Sequence, residues 1–135
     1  MANSILVDLK RCTGCWSCSF ACKVGNHTAD GEWWQFVRTV GGLGIDEPAG
    51  EWPNLSMSWM PVYTDQCVMC NGRTSQGELP YCVFNCPVHA LTFGDADDPE
   101  SAFSKKLQLL KDKGAVIYEM PGYERTKKGV VYAAR

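Results

Sequence analysis

Eight cysteines in a chain of 135 residues fall into two groups. The first is Cys12-x2-Cys15-x2-Cys18-x3-Cys22; the second is Cys67-x2-Cys70, eleven residues, then Cys82-x3-Cys86-Pro87. Three chemistries compete for so many thiols: disulfides, zinc and iron–sulfur clusters. Disulfides fit poorly, because Cys12, Cys15 and Cys18 are too close in sequence to staple distant parts of a chain. Zinc takes four ligands, usually two CxxC-type pairs. It leaves unexplained a third cysteine two residues after the second and a fourth three residues further on. A cubane cluster explains both. Three cysteines on a tight loop hold three irons of one cluster, and the fourth, carried off on a short helix, ligates a second. The spacing therefore predicts two 4Fe–4S clusters that use all eight thiols. Cluster A takes Cys12, Cys15, Cys18 and Cys86. Cluster B takes Cys67, Cys70, Cys82 and Cys22.

The elements that must position these ligands form two imperfect repeats. Short apolar segments precede each group, "SILVDLK" (4–10) and "WMPVYTD" (59–65), and strand-like segments follow, "WWQFVRTV" (33–40) and "HALTFG" (89–94). The expected fold is α+β: a bacterial two-cluster ferredoxin-like arrangement in which strand, cysteine loop, helix and strand recur about a pseudo-two-fold axis. One domain is expected over 1–135. It carries a long irregular insert at about 41–58, a helix at about 99–113 and a C-terminal arm at about 115–135 that reads as two short strands around a turn or as an extended arm. Asp98 suits the N-cap of that helix, Pro99 its first position and Gly114 its end. Phe103, Leu107 and Leu110 make its buried stripe. Gly14 is expected to let the first loop approach the cluster sulfides, with backbone N–H groups aimed at them. Pro87 is expected to end the second cysteine helix. The clusters replace much of the core, so the metal-free chain should be poorly folded.

Composition narrows the function. The formal charge is −2 and 45% of residues are hydrophobic. No clustered basic face announces nucleic acid. No run approaches the roughly 20 apolar residues that span a bilayer, so no direct membrane insertion is expected. The opening residues show no signal-peptide pattern. The expected location is cytoplasmic, with export alongside a partner bearing its own signal as the other route. No Ser/His/Asp set, phosphate-binding glycine loop or flavin signature is present, so the chain is expected to move electrons and not to be an enzyme by itself.

Two stretches resemble a known family. "CTGCWSCSFACK" resembles the opening cysteine motif, and "CVMCNGRTSQGELPYCVFNCPVHALTFGD" the last one, of the iron–sulfur subunits of dimethyl sulfoxide reductase-type molybdopterin oxidoreductases. The two middle motifs of those subunits are absent, so the chain resembles a shortened version with two clusters. Lys23 stands where simple ferredoxins have proline. The resemblance implies a partner: a large catalytic subunit with a bis-pterin molybdenum or tungsten cofactor, with cluster A nearer to it and cluster B outermost. It further implies an external electron carrier or a further redox subunit. The rival readings are a free, diffusible two-cluster ferredoxin, and an accessory subunit of a pterin enzyme with net non-redox chemistry such as hydroxyl transfer or hydration.

Other residues have plainer readings. Trp16, between cluster A ligands, is a core aromatic that could also shield the cluster. Trp33, Trp34, Trp52 and Trp59 either cover the clusters or form a docking surface. His27 and His89 are not needed as ligands. The sequons at Asn26 and Asn54 are accidental. The acidic run Asp95, Asp97, Asp98 and Glu100 reads as a solvated face and helix N-terminus, and the basic residues Arg125, Lys127 and Lys128 as a solvated face before a contact for an acidic partner surface.

Overall fold

The computed structural model of the protein describes residues 3–40, 47–120 and 126–134. Arg125 lies outside them, as do 41–46 of the insert and 121–125 and 135 of the expected arm. The architecture is mixed α+β. Strand β1 (Asn3–Asp8) leads through the first cysteine loop to helix α1 (Ser17–Gly25) and strand β2 (Gln35–Val40). A second passage runs from β5 (Ser58–Tyr63) through the second loop, helices α2 (Asn71–Thr74) and α3 (Tyr81–Phe84), to β6 (Leu91–Asp95). The outer strands of the two passages pair antiparallel, β1 with β6, and so do the inner ones, β2 with β5.

The insert contains a hairpin, a departure from the expected irregular loop. Strand β3 (Ala49–Glu51) pairs antiparallel with β4 (Asn54–Ser56). Glycine and proline mark turns as readily as loops, and here they punctuate two very short strands with Trp52 exposed at the tip.

The C-terminal helix starts later than its sequence signals suggest. Helix α4 covers Ala102–Asp112, and its N-cap is Ser101, whose hydroxyl accepts from the Ser104 N–H. Asp98 instead closes a turn, its carboxylate accepting from the Glu100 N–H. Two good capping residues stood three apart, and the tight turn after β6 consumed the first. The other end matches expectation. Gly114 takes φ +82°, with its N–H bonded to Lys111 O and the Ala115 N–H to Leu110 O, the paired bonds of a Schellman stop. Phe103 and Leu110 are buried, with Leu107 packed beside them.

Of the two readings of the tail, the paired strands hold. Strand β7 (Val116–Glu119) pairs antiparallel with β8 (Val130–Ala134), which inserts parallel to β1 to give the sheet order β6-β1-β8-β7. Tyr132 and Ala133 are among the most buried residues. The sheet separates two apolar layers by strand alternation. Ile5, Val7, Val130 and Tyr132 face the thiols, whereas Leu6 and Ala133 face α4.

Candidate metal centres

The first cysteine loop depends on left-handed backbone. Gly14 has φ +71°, and a Cβ there would lie 2.5 Å from the Trp59 indole. The glycine is thus required by the ring that packs on it, a reason additional to approach by a cofactor. Trp16 has φ 65° and leads into α1. In the second loop Met69 and Cys70 take the same conformation, at φ 51° and 50°. Such values are uncommon outside glycine and cluster at functional sites.

Helix α1 buries Cys18, Ser19 and Cys22. Cys18 and Cys22 are four residues apart and so share one face, roughly 6 Å apart along the axis. That rise sends them to different neighbours. Cys12, Cys15, Cys18 and Cys86 line one apolar pocket, closed by Trp16, Val37 and Pro61. Cys22 instead sits with the second loop: Cys67 and Cys70 push its thiol up more than Cys18 does, and burial adds the largest part, to about 11. Cys82 is raised by burial and by charge on Cys67, Cys18 and Cys70. Cys86 thus joins the cysteines of the first loop, whereas Cys22, on α1, lies toward those of the second. Helix α3 ends at Phe84, before Pro87; the Asn85 amide donates to Tyr81 O and stops it first.

Hydrogen-bond donors surround the sulfurs. The Met69 and Ala90 N–H groups donate to Cys67 and Cys86 Sγ, each at 3.3 Å. Gln35 Nε2 donates to Cys18 Sγ at 3.0 Å and Tyr63 Oη to Cys82 Sγ at 3.4 Å. Asn26 Nδ2 reaches both Cys22 Sγ at 3.6 Å and Cys70 Sγ at 3.7 Å. Lys127 lowers the Cys67 thiol against the stronger upward push of burial. Cys15 alone is exposed, and bonds with Ser17 pull it down. Sequence reasoning missed Gln35, Tyr63 and Asn26 and read Lys127 as a solvated face. The only available signal was polar residues within strands and a helix cap, which carries no address for a partner far along the chain.

Lys23 has a structural task. Its ammonium donates to Ala29 O at 2.6 Å, Glu32 O at 3.0 Å and Thr28 Oγ1 at 3.3 Å, and lies 4.8 Å from the centre of the Trp33 ring. It anchors the loop that joins α1 to β2. Trp33 packs edge-on to Trp16 and Phe20, and Trp34 Nε1 donates to Glu32. Trp33, Trp34 and Trp59 are thus engaged within the fold, leaving Trp52, 84% exposed, as the one outward tryptophan.

The donor set fits a polynuclear iron–sulfur group better than a single ion. Among the described residues, no three His, Cys, Asp or Glu side chains come close enough to hold one metal ion. Tetrahedral zinc needs sulfurs about 3.8 Å apart. Thiols spread around a pocket, with N–H groups aimed at them, suit a larger sulfide-bearing core.

This is the arrangement of an iron–sulfur protein. No family model matches the chain. Individual proteins do. It is 26% identical to the putative dimethyl sulfoxide reductase iron–sulfur subunit of Halobacterium salinarum, over 82% of this chain and 74% of the relative. It is 31% identical to the arsenate respiratory reductase iron–sulfur subunit ArrB of a Shewanella strain, over 74% of this chain and 51% of the relative. It is 50% identical to a polysulfide reductase component of Wolinella succinogenes, over 32% of this chain and 23% of the relative. By these likenesses the chain is similar to the iron–sulfur electron-transfer subunits of the dimethyl sulfoxide reductase-type molybdopterin oxidoreductases. It matches only about half of the ArrB relative's length and a quarter of the polysulfide reductase component. The Halobacterium alignment runs over 195 positions, more than this chain possesses, so that relative carries a long stretch without counterpart here. Among the described residues no helix is long and apolar enough to cross a membrane.

Proposed function

We propose that the chain is a single ferredoxin-like domain that holds two 4Fe–4S clusters. It relays single electrons between a large molybdenum or tungsten bis-pterin catalytic subunit and an external carrier or further redox subunit. The observation that supports this is that Cys86 lines one pocket with Cys12, Cys15 and Cys18, while Cys22 feels Cys67 and Cys70 more than Cys18. Cluster A is assigned to Cys12, Cys15, Cys18 and Cys86, and cluster B to Cys67, Cys70, Cys82 and Cys22. The β1–β6 and β2–β5 pairings support the ferredoxin-like repeat, since they relate the two passages by an approximate two-fold axis.

Clusters of this kind, when bound, supply one-electron steps at potentials that ligands alone do not fix. The chain's own residues supply the rest. Val37, Pro61 and Leu91 keep water from the first group of thiols, and Tyr63, Met69 and Val83 from the second. Exposed Cys15 marks the edge where an electron enters or leaves, which favours the first group as the side that meets the catalytic subunit. Exposed Phe20 and Trp52 are apolar anchors for that contact. The proposed site of cluster assembly is the cytoplasm.

The test is anaerobic purification from the native host with analysis of what accompanies the chain. The expected result is about eight irons and eight acid-labile sulfides per chain, in a complex with one molybdenum or tungsten. A chain that migrates alone is the free-carrier alternative, and a colourless one rules out clusters.

A further inference from the structure

Gln35 and Tyr63 face each other across the β2–β5 ladder. They are 1% and 2% exposed, and both polar tips point into the thiol-bearing core. Burying an amide or hydroxyl is costly unless it is bonded, and each of these ends on a different sulfur. Gln35 Oε1 accepts from Ser19 Oγ at 2.7 Å, and its Nε2 donates to Cys18 Sγ at 3.0 Å. The orientation is forced once Cys18 is a ligand. A thiolate accepts but has no proton to give, so only the amide nitrogen can face it, while the Ser19 hydroxyl holds the oxygen. Tyr63 Oη donates to Cys82 Sγ at 3.4 Å. Among the described residues no buried side-chain nitrogen or oxygen lacks a partner, so the pair is fully committed. Directly opposed residues stand about 5 Å apart. One rung of the ladder therefore reaches a sulfur of each thiol group.

We infer that Gln35 and Tyr63 are positioning residues that set the two cluster potentials separately, Gln35 through its N–H on Cys18 and Tyr63 through its O–H on Cys82. The inference rests on the two-cluster reading above. Reduction adds one negative charge, part of which resides on the ligand sulfurs. A donor stabilises the more negative state and raises the potential. Each site takes one electron from a reductant such as dithionite and returns it to an oxidant such as ferricyanide. The two hydrogen bonds strengthen and relax, and no proton is transferred.

The experiment is a mediated potentiometric titration followed by electron paramagnetic resonance, on the iron-loaded full chain and its Gln35→Met, Tyr63→Phe and double variants. Gln35→Met is expected to move one midpoint potential negative and Tyr63→Phe the other, with the double variant showing both shifts. Fully loaded variants that keep both original potentials, or that shift the same one, overturn the inference. If Gln35→Met fails to load iron, Tyr63→Phe, which removes one oxygen atom, decides. Iron and sulfide counts on the same samples separate the two levels. Two clusters with unmoved potentials sink the inference alone; a chain without two clusters sinks the underlying reading as well.

Discussion

Around Cys12, Cys15, Cys18 and Cys86, one thiol is exposed, two are partly covered and only Cys18 is buried; around Cys22, Cys67, Cys70 and Cys82, three of the four are buried. The polar support differs too. The first group draws chiefly on near neighbours, Ser17 for Cys15 and the Gly14 N–H for Cys12, with Gln35 added from β2. The second draws on distant segments: Asn26 from the end of α1, Tyr63 from β5 and Lys127 from the C-terminal passage. Cysteine groups that share their first and last spacings thus sit in unlike surroundings. Spacing chooses the ligands, and the packing of remote elements chooses how dry and how polar each site is.

The largest expected effect tests whether the groups exchange a cysteine. Replacing Cys22 with Ser should cut iron from about eight to about four per chain and abolish the same paramagnetic signal as Cys67→Ser. Cys86→Ser should abolish the signal lost in Cys18→Ser. If Cys22→Ser and Cys18→Ser silence the same signal, the exchange is wrong and the comparison must be redrawn.

Metal removal comes next. Cys18, Cys67 and Cys82 are part of the larger apolar cluster, together with Ile5, Val37, Val62 and Tyr132. Stripping iron anaerobically with a chelator should erase near-ultraviolet circular dichroism and the sharp thermal transition, because binding energy here is folding energy. A metal-free chain that melts cooperatively near the temperature of the loaded one would contradict this.

A glycine pair sharpens the comparison with a smaller effect. Gly14→Ala must place a methyl against Trp59 in a left-handed backbone, whereas Gly114→Ala meets the same backbone cost in open space. The first should lose about 2–4 kcal/mol and the second about 1–2 kcal/mol in denaturant titration. Loss of the signal of the first group alone is expected for Gly14→Ala.

The smallest effect is chemical. Alkylation pulsed at pH 8 as the metal is stripped, before the packing is lost, should modify Cys15 first and Cys82 last, read by peptide mass spectrometry. Burial lifts the Cys22 thiol from the ordinary 9.0 to about 11, leaving it roughly a hundredth of the usual thiolate at that pH. Cys82 is pushed further in the same direction, while Ser17 pulls Cys15 the opposite way. Raising the pH should therefore narrow the gap as the raised thiols ionise. Equal rates within that pulse would mean that the packing is lost as fast as the metal leaves.

Several elements were legible because their signals are local. The apolar runs before each cysteine group became β1 and β5, and the Phe103, Leu107, Leu110 stripe became the buried face of α4. Local signals failed where two of them competed. Asp98 and Ser101 could each cap a helix, and the turn after β6 decided for Ser101. Glycine and proline between 47 and 58 could mean loop or hairpin, and pairing decided for the hairpin.

By itself the sequence determined that the chemistry is of the iron–sulfur kind, because the close spacing of cysteines restricts geometry to what a few peptide units can reach. It also determined which proteins the chain resembles, through two motifs whose residues are recognisable one by one. Only the tertiary structure decided the placing of the last strand. Nothing in "VVYAA" says that it will lie between β1 and β7, but doing so buries Tyr132 and lets its hydroxyl donate to Pro61 O at 2.6 Å. That closure also carries the preceding residues along β5, where the Lys127 N–H bonds Tyr63 O and its charge reaches Cys67. Pairing between segments more than sixty residues apart is set by the burial of whole faces. A short pattern of residue types therefore named the sulfurs, while the company they keep waited for the fold.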